Sequence, residues 1–493
     1  MQRTKIIATV GPASENITTL KRMILAGMDV ARLNLSHNKH EHHLKLIKNI
    51  RKAAKDLNRP IAIILDLQGP KVRTGEVYGG SISVSKGEEI ILVPENQSIP
   101  VKTAHTFIPI QFADLYKYTK PKQIIYIDEA AVELKVKKVS QKTIICDVRN
   151  SGLIKSRKSI NLPGVEIKIP ALSAKDKKDL EFGIKNEVDF VALSYVSNAR
   201  EVLNLRSLIY QLEKKYQRDS KDYDKPGEKG KWSKISVRII SKIERPLAVK
   251  NFDEILTASD AIMVARGDLG LEMPLEDLPL IQKDIIEKCL MAAKPVIVAT
   301  QMLNSMIEKP FPTRAEVSDV ANAIIDGTDA IMLSGESATG LYPVRAVKIM
   351  DKIAREVELA KTDKLSQIDF TKKSSVSKAI AATAKKLADK TSAKLIVCAT
   401  TSGYTAKALS RHKPDVLIVS LSPSILTRNQ LNLSWGVYPY FFSQKSSFDE
   451  NIKGIKNFLK KEKLVREGEK IIMVLNHPSG YFGSTNVIKI EFT

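Results

Sequence analysis

The sequence has few of the residues on which several classes of protein depend. Of its 493 residues only three are cysteines, Cys146, Cys289 and Cys398, and they form no CxxC pair. An odd number of widely spaced cysteines argues against a disulfide framework and against a zinc site. We therefore expect the protein to occupy a reducing compartment.

Long apolar runs are also missing. A membrane-spanning helix needs roughly 18 consecutive apolar residues, and no run in this chain approaches that length. The first run, TKIIATV, is too short for the apolar region of a signal peptide and leads straight into a turn. We expect a soluble, cytoplasmic protein that has no membrane partner.

Acidic residues are also few relative to basic ones. The chain has 78 Lys and Arg against 55 Asp and Glu, a formal net charge of +23, and only 6% aromatic residues. Such a balance would suit nucleic acid or acidic metabolites. The lysines are scattered, however, and no RNP, helix-turn-helix or zinc-finger pattern accompanies them, so we interpret them as a solvated surface without a nucleic-acid partner. The densest local excess, Glu213 to Lys234, has almost no apolar periodicity and indicates a long polar loop, with partner binding as the alternative.

Short apolar runs, each followed by a helical pattern, recur along the first three quarters of the chain. They are TKIIATV, DVARLNL, PIAIILD, VDFVALS, SVRIISKIE, SDAIMVARGD, KPVIVATQ and TDAIMLSGE. Helical patterns fit at Thr18 to Leu25, Ala174 to Asn186 and Arg314 to Ile325. Eight strand-helix units indicate a closed (β/α)₈ TIM barrel, so the fold class is α/β.

Two further domains interrupt and follow this pattern. About 100 residues after the third run show short alternating segments typical of a small all-β domain, which we predict to be a β-barrel lid inserted at the C-terminal end of the strands. After a polar linker, Lys361 to Ser375, alternating helices and strands indicate an open, mostly parallel α/β sheet. We predict the barrel at 1–69 and 168–360, the lid at 70–167 and the C-terminal domain at 361–493.

Polar residues end several of the predicted barrel strands, where the active site of such a barrel lies. Lys242 and Glu244 are two residues apart and share one face of their strand. Asp268 ends the next run in ARGDLG, where Gly267 allows backbone to approach a ligand. The two carboxylates suit a hard divalent cation such as Mg²⁺. Thr300 adds a hydroxyl one strand further on, with an interior ion pair at Lys242 and a helix cap at Thr300 as the structural alternatives.

The other side of the predicted barrel carries groups that suit a phosphate. Arg32, Asn34 and Ser36 share one strand face, and Arg73 follows in DLQGPKVRTG. Two arginines, a lysine and paired carboxylates fit phosphoryl transfer, although there is no Walker A motif or kinase-type glycine-rich loop. A barrel lyase with Lys242 as a Schiff base and a basic nucleic-acid-binding protein are the alternatives, and neither needs the carboxylate pair.

At this point long stretches of the sequence resemble the pyruvate kinase family, in order and over essentially the whole chain. They are TKIIATVGPAS, ARLNLSH, LDLQGPKVRTG, IISKIE, ARGDLG, ATQML, PTRAEVSDVANAIIDGTDAIMLSGESATGLYP and NQLNLSWGVYP. The resemblance implies transfer of the phosphoryl group of phosphoenolpyruvate to ADP, giving pyruvate and ATP, the final step of glycolysis. It also implies Mg²⁺, with Mn²⁺ able to take its place, a homotetramer and a phosphorylated allosteric effector.

The resemblance assigns roles to particular positions. It implies catalytic roles for Lys242, Thr300 and Arg73; substrate contacts for Arg32, Lys242, Gly267, Asp268 and Thr300; nucleotide contacts for Asn34, Ser36, His37, Arg73 and Lys158; and Mg²⁺ ligands at Glu244 and Asp268. Thr400, Thr401, Ser402 and Thr405 resemble an effector-binding loop, with ordinary helix capping as the alternative.

One stretch departs from many members of the family. Leu67, Gln68 and Lys71 stand where those members have threonine, lysine and glutamate. They bind K⁺ through positions matching Asn34, Ser36, Asp66 and the carbonyl of Leu67. Repulsion between an ammonium and K⁺ is about 4 kcal/mol at 4 Å for an effective dielectric near 20. We therefore predict activity without K⁺, with Asp66 as the partner of the Lys71 ammonium.

Overall fold

The structure, a computed structural model, describes residues 2–97, 105–140, 142–165, 167, 169–216, 236–360, 376–443, 447–476 and 485–493. The predicted linker at 361–375 and residues 217–234 of the predicted polar loop lie outside these ranges. In the part of the chain that is described, no helix has the length and apolar character needed to cross a membrane.

Strands and helices alternate along most of the chain. The strands are β1 (Lys5–Thr9), β2 (Val30–Asn34), β3 (Ala62–Asp66), β4 (Ser81–Val84), β5 (Glu89–Pro94), β6 (Thr106–Ile110), β7 (Ile124–Ile127), β8 (Val132–Ser140), β9 (Thr143–Val148), β10 (Gly152–Lys155), β11 (Ile160–Asn161), β12 (Phe190–Leu193), β13 (Arg238–Ile243), β14 (Ala261–Ala265), β15 (Val296–Ala299), β16 (Ala330–Leu333), β17 (Leu395–Ala399), β18 (Leu417–Ser422), β19 (Val437–Phe441), β20 (Lys470–Leu475) and β21 (Val487–Phe492). The α-helices are α1 (Ile17–Ala26), α2 (His40–Asp56), α3 (Ala174–Lys185), α4 (Ala199–Lys215), α5 (Pro246–Lys250), α6 (Phe252–Ala258), α7 (Arg266–Glu272), α8 (Leu278–Ala292), α9 (Arg314–Ile325), α10 (Gly335–Ala338), α11 (Pro343–Leu359), α12 (Val376–Thr391), α13 (Tyr404–Ser410), α14 (Ile425–Gln430) and α15 (Phe448–Lys461).

Eight parallel strands close into a barrel in the order β1-β16-β15-β14-β13-β12-β3-β2, which confirms the predicted TIM barrel. These strands are buried along almost their whole length, as expected for a parallel sheet covered by helices. Two of the surrounding helices, α3 and α9, begin at capping boxes formed by Ser173 with Asp176 and by Thr313 with Glu316. Both helices lie where the sequence predicts them.

Four aspartates, of which Asp189 and Asp329 are buried and Asp29 and Asp260 half-buried, frame the N-terminal end of the barrel. Each aspartate comes directly before one strand, and the four strands that they precede alternate around the barrel. The carboxylate of each accepts a hydrogen bond from a backbone N–H of a neighbouring strand. The pairs are Asp29 with Ile6 at 2.9 Å, Asp189 with Ile63 at 2.7 Å, Asp260 with Ile239 at 2.9 Å and Asp329 with Val296 at 3.1 Å. This polar frame fixes the register of the barrel at the end opposite the predicted active site.

The segment between β3 and α3 is the predicted all-β insertion. Its strands form a six-stranded sheet in the order β11-β7-β8-β9-β5-β6 and a two-stranded sheet of β10 and β4, around a hydrophobic core of their own. The insertion leaves the barrel directly after Asp66, at the C-terminal end of β3. It therefore stands on the face of the barrel at which ligands bind.

The C-terminal part of the chain is an open sheet, as predicted. The strand order is β19-β18-β17-β20-β21, and only β21 runs antiparallel to its neighbour. This part meets the N-terminal end of the barrel: Asn429 Nδ2 donates to Asp189 at 3.0 Å and Trp435 N to Asp329 at 3.1 Å. Leu433, fully buried, belongs to the hydrophobic cluster that fills the barrel interior. The exact domain boundaries stay predictions.

The predicted polar loop is wrong at its first residues. Residues 213–215 are the last turn of α4, and Glu213 is buried. Its carboxylate accepts hydrogen bonds from Ser236 Oγ at 2.6 Å and from Val237 N at 2.9 Å. The local density of charged residues in the sequence does not distinguish a buried glutamate, such as Glu213, that caps the following strand from a solvated one.

Candidate active site

An ion network lies at the C-terminal end of the barrel, centred on Lys242. Its Nζ lies 2.8 Å from Glu244 Oε1 and 3.4 Å from Asp66 Oδ1, and donates to Ser194 Oγ at 2.9 Å. Asp66 Oδ2 in turn accepts from Arg32 Nε at 2.7 Å and lies 2.6 Å from Arg32 Nη2. Side chains predicted from the ends of three separate strands therefore converge.

The charges in this network hold each other ionised. Burial by itself would lower the pKa of Lys242, but Asp66 and Glu244 outweigh burial and raise it. Burial would likewise raise the pKa of Asp66, but Lys242 and Arg32 outweigh burial and lower it. Lys242 is therefore a charged ammonium throughout the neutral range.

The second predicted metal ligand, Asp268, lies in the first turn of α7. Its Oδ1 accepts from Lys71 Nζ at 2.8 Å and from Tyr195 Oη at 3.0 Å. The predicted pairing of Lys71 with Asp66 is therefore wrong. Asp66 is already satisfied by Arg32 and Lys242, while the turn at Gly69, with φ of +69°, precedes a loop that places Lys71 beside Asp268.

The two carboxylates fit a Mg²⁺ ion. Burial raises the pKa of Glu244 despite Lys242, and repulsion from Asp268 raises it further. Tyr195 hydrogen-bonds to both carboxylates, through its backbone N–H to Glu244 and through its hydroxyl to Asp268. Glu244 Oε1 is buried and accepts no well-aligned hydrogen bond, although Lys242 lies beside it. Among the described residues no cluster of three or more His, Cys, Asp and Glu could hold a metal. The remaining ligands of a Mg²⁺ here would be oxygens of the substrate and of water.

Thr300 and Gly267 meet beside this pair. Gly267 N donates to Thr300 Oγ1 at 2.7 Å, and Thr300 Oγ1 donates to Ala299 O at 2.6 Å. Thr300 has φ of +67° and Gln301 +54°, both in the left-handed region that non-glycine residues seldom adopt. Strain at consecutive residues is typical of functional sites.

Arg266, which stands next to Gly267, does not join the site. Its guanidinium donates to Asp319 Oδ1 at 2.7 Å and to Thr300 O at 2.9 Å. The ARGDLG segment thus begins helix α7, and hydrogen bonds hold the start of this helix against the strand end at Thr300. Its arginine supports the backbone there.

The predicted nucleotide contacts surround His37. Burial lowers the pKa of His37, and so do the nearby cations Arg73, Arg32 and Lys158, which places all three close to it. Lys158 Nζ lies 3.0 Å from Asp128 Oδ1 within the insertion. Arg73 Nη1 donates to Arg157 O at 3.3 Å, and its buried Nε has no hydrogen-bond partner among the described residues. The insertion and the barrel together form a cationic surface.

The positions of the predicted K⁺ site are engaged with protein groups. Asn34 Oδ1 accepts from Ser36 N at 3.1 Å, and the carbonyl of Leu67 accepts from Ser194 Oγ at 2.7 Å. Asp66 is held by Arg32 and Lys242, as described above.

Sequence reasoning missed Ser194 and Tyr195. Ser194 connects Lys242 to the carbonyl of Leu67, and Tyr195 contacts both Glu244 and Asp268. The signal was present, because the fourth apolar run, VDFVALS, ends at Ser194 and the C-terminal strand ends converge in a barrel of this kind.

The predicted effector loop lies at the start of α13, far along the chain from this site. Thr400 Oγ1 accepts at 3.0 Å from the N–H of Gly403, the residue directly before α13. Thr405 Oγ1 lies 2.6 Å from Thr485 Oγ1 and is buried. Thr401 and Ser402 use their backbone carbonyls, which accept from Thr427 Oγ1 and from Arg238. The hydroxyls of Thr400 and Thr405 are thus engaged in contacts within this part of the chain.

A barrel end that concentrates fixed positive charge around paired carboxylates is built for a phosphotransferase. Comparison with known proteins agrees. The chain matches the family "Pyruvate kinase, barrel domain" over residues 1–347 and "Pyruvate kinase, alpha/beta domain" over 378–491. It is 40% identical over 496 residues to a pyruvate kinase of Staphylococcus aureus (strain MRSA252), covering 100% of this chain and 80% of that protein.

A pyruvate kinase of Lactobacillus delbrueckii subsp. bulgaricus is 38% identical over 497 residues, with the same shares of each chain covered. The crystal structure of a pyruvate kinase from Cryptosporidium parvum superposes with a TM-score of 0.88 at 36% identity, covering 100% of this chain and 96% of the other. The chain therefore belongs to the pyruvate kinase family.

Proposed function

We propose that the protein transfers the phosphoryl group of phosphoenolpyruvate to ADP and thereby completes glycolysis with pyruvate and ATP. The observation that carries the proposal is the buried network of Lys242, Glu244, Asp66 and Arg32 at the C-terminal end of the barrel. It joins groups from three strands in the one place where a barrel enzyme binds substrate.

In this reaction the bond between the enol oxygen and phosphorus breaks, and a β-phosphate oxygen of ADP forms the new bond to phosphorus. The enolate that leaves takes a proton at its methylene carbon and becomes pyruvate. Lys242, kept charged by its carboxylate neighbours, stabilises the negative charge that develops during transfer. Arg32 is held on Asp66 and directs its remaining donors to the substrate. The Thr300 hydroxyl, beside Gly267 N, lies on the proposed proton path to the methylene carbon.

Pyruvate kinases generally need Mg²⁺, and we propose that Glu244 and Asp268 hold it here, with Mn²⁺ able to replace it. The bound ion supplies charge neutralisation for the phosphoryl and enolate oxygens. Glu244 and Asp268 fix the position of that charge beside Lys242, and Gly267 allows the start of α7 to approach Thr300, whose Oγ1 would lie 3.3 Å from an added Cβ.

The insertion is the proposed lid over the nucleotide. Lys158, on the insertion, and Arg73, on the segment entering it, lie close enough to His37 to lower its pKa. We propose that Asn34, Ser36, His37, Arg73 and Lys158 contact ADP and its phosphates, and that closure of the insertion expels water.

K⁺ is not required in this proposal, and the reason is again the ammonium of Lys71, although its partner is Asp268 and not Asp66. Lys71 places its ammonium on Asp268, 5.8 Å from the centroid of the Tyr195 ring, and so supplies a fixed positive charge beside the metal-binding carboxylates. At 4 Å this charge would repel K⁺ by about 4 kcal/mol for an effective dielectric near 20.

The remaining family features are part of the same proposal. We propose a homotetramer in the cytoplasm, and a phosphorylated effector at Thr400, Thr401, Ser402 and Thr405. Because the hydroxyls of Thr400 and Thr405 are already hydrogen-bonded, effector binding would have to use Thr401, Ser402 and backbone amides, or displace those bonds.

The test is an assay coupled to lactate dehydrogenase, with ADP, Mg²⁺ and phosphoenolpyruvate in tetramethylammonium buffer. We expect pyruvate formation that depends on Mg²⁺ and does not rise on addition of KCl. Absence of turnover under all these conditions would contradict the proposed reaction, and strong activation by KCl would contradict the proposed role of Lys71 alone. A Schiff-base lyase is disfavoured because Lys242 is held as an ammonium, which is not nucleophilic.

A further inference from the structure

Tyr195 stands two residues after Leu193, the last residue of β12, at the C-terminal end of the barrel, in an unusual setting. It is buried, and its backbone has φ of +57°, in the region that L-residues other than glycine avoid. Two cations lie near its ring, the guanidinium of Arg245 at 4.7 Å and the ammonium of Lys71 at 5.8 Å from the ring centroid. A Cβ at Gly69 would approach this ring to 3.0 Å, so the loop after β3 also packs against it. Ring and backbone are thus fixed from several directions.

Tyr195 contacts both carboxylates of the proposed metal site. Its backbone N–H donates to Glu244 Oε2 at 2.6 Å, and its hydroxyl donates to Asp268 Oδ1 at 3.0 Å. Glu244 and Asp268 come from different strand ends, and within the described residues Tyr195 is the residue that hydrogen-bonds to both. We propose that Tyr195 is a positioning residue that holds the two Mg²⁺ ligands in their metal-binding arrangement; this inference rests on the proposed function of the site.

The hydrogen bonds select one oxygen of each carboxylate for the metal. Tyr195 N occupies Glu244 Oε2, whereas Oε1 has no well-aligned hydrogen bond, although Lys242 Nζ lies 2.8 Å from it. Tyr195 Oη and Lys71 Nζ share Asp268 Oδ1, and no described residue donates to Oδ2. Glu244 Oε1 and Asp268 Oδ2 would therefore be the oxygens left for a metal ion. Without the hydroxyl, Lys71 alone would orient Asp268, and rotation of the carboxylate would become easier.

The hydroxyl is the part of Tyr195 that can be removed without disturbing the rest. Tyr195→Phe keeps the ring, the cation contacts and the backbone N–H to Glu244. Loss of a group that orients a metal ligand weakens metal affinity by about 10–100-fold. We expect the Kd of Mn²⁺ for the substrate-free protein, measured by EPR titration, to rise by about 10-fold or more, and the Mg²⁺ concentration for half-maximal activity to rise in parallel.

The matched control is Tyr216→Phe. Tyr216 Oη donates to Glu181 Oε1 at 2.7 Å, a hydrogen bond of the same kind on the outer helices of the barrel. Mn²⁺ affinity should not change in this variant. Replacement of Tyr195 by 4-aminophenylalanine, which restores a donor at the same ring position, should recover most of the lost Mn²⁺ affinity, and this rescue would not follow from a general loss of stability.

Glu244→Gln separates failure of this inference from failure of the proposed function. If Glu244→Gln binds Mn²⁺ as tightly as the wild type, the metal site itself is wrong. If Glu244→Gln loses Mn²⁺ binding while Tyr195→Phe titrates like the wild type, the site is right and the positioning role of Tyr195 is overturned. Should Tyr195→Phe not fold, Lys71→Met is introduced into the 4-aminophenylalanine variant and the double variant is titrated with Mn²⁺. If it binds Mn²⁺ as tightly as the wild type, the donor on the ring orients Asp268, as proposed. If Mn²⁺ affinity is lost, Lys71 orients Asp268 and the positioning role of Tyr195 is overturned.

Discussion

Replacement of Lys242 by methionine removes the central charge of the site while keeping most of the volume of the side chain. In the wild type the ammonium lies 2.8 Å from Glu244 Oε1, 2.9 Å from Ser194 Oγ and 3.4 Å from Asp66 Oδ1. The variant leaves two buried carboxylates without this partner. Glu244 then loses the cation that lowers its pKa, so it should take up a proton more readily.

The size of both effects can be worked out from these contacts. Loss of one donor to a developing negative charge lowers kcat by about 10²–10³-fold, and an ionised donor is roughly twice as strong. We expect a loss of at least about 10³-fold, or about 4 kcal/mol of transition-state stabilisation. Removing one partner of a buried ion pair costs about 3–5 kcal/mol of stability. The lower end applies, because Asp66 keeps Arg32 and Glu244 keeps the Tyr195 N–H.

The coupled lactate dehydrogenase assay measures the first effect and thermal unfolding the second. Lys5→Met is the matched control, because Lys5 is a buried lysine that also lies in a barrel strand but at the opposite end, where its Nζ donates to Val437 O at 2.7 Å. Lys5→Met should lose stability and keep turnover. If Lys242→Met retained more than about a tenth of wild-type kcat, the assignment of Lys242 would be refuted.

Three further predictions concern the metal, the monovalent cation and pH. Glu244→Gln should raise the Mg²⁺ concentration for half-maximal activity by more than about 10-fold; an unchanged Mg²⁺ titration would contradict the ligand assignment. Lys71→Glu should be nearly inactive in tetramethylammonium buffer and recover on addition of KCl, whereas Lys71→Met should not recover; equal responses of both variants would contradict the role of the charge. Burial and then Arg411 lower the pKa of His412 to about 4, against about 6.5 when unfolded, so stability is present above pH 6.5 and is lost as the pH falls. Urea unfolding at pH 5 should show a loss of about 2 kcal/mol relative to neutral pH, which His412→Asn should largely remove; an equal loss in that variant would exclude His412.

Most of the fold follows from patterns that a single sequence displays. Buried parallel strands have continuous apolar runs, and capping residues such as Ser173 and Thr313 mark helix starts. The convergence of Lys242, Glu244 and Asp66 follows from the barrel alone, since each ends a strand at the same face.

Contacts that depend on how a loop turns could not be predicted in this way. The partner of Lys71 depends on the path after Gly69 and on the fact that Arg32 already neutralises Asp66. The sequence indicates Arg32 only as a phosphate ligand and does not reveal that it pairs with Asp66. Tyr195 was missed because its role needs a left-handed backbone and a hydroxyl directed at another strand end, neither of which has a sequence period.

Through Leu433, the packing of the barrel interior depends on the C-terminal part of the chain. It comes from the C-terminal part of the chain, yet it packs among side chains of the barrel interior such as Ile7 and Met332. Chimeras that join this barrel to the C-terminal part of a relative would have to supply a residue of the same volume at this position. Leaving a cavity of the size of a Leu→Ala change costs about 2–5 kcal/mol. Exchange of C-terminal parts among relatives is thus constrained by one residue inside the barrel, on the side remote from catalysis.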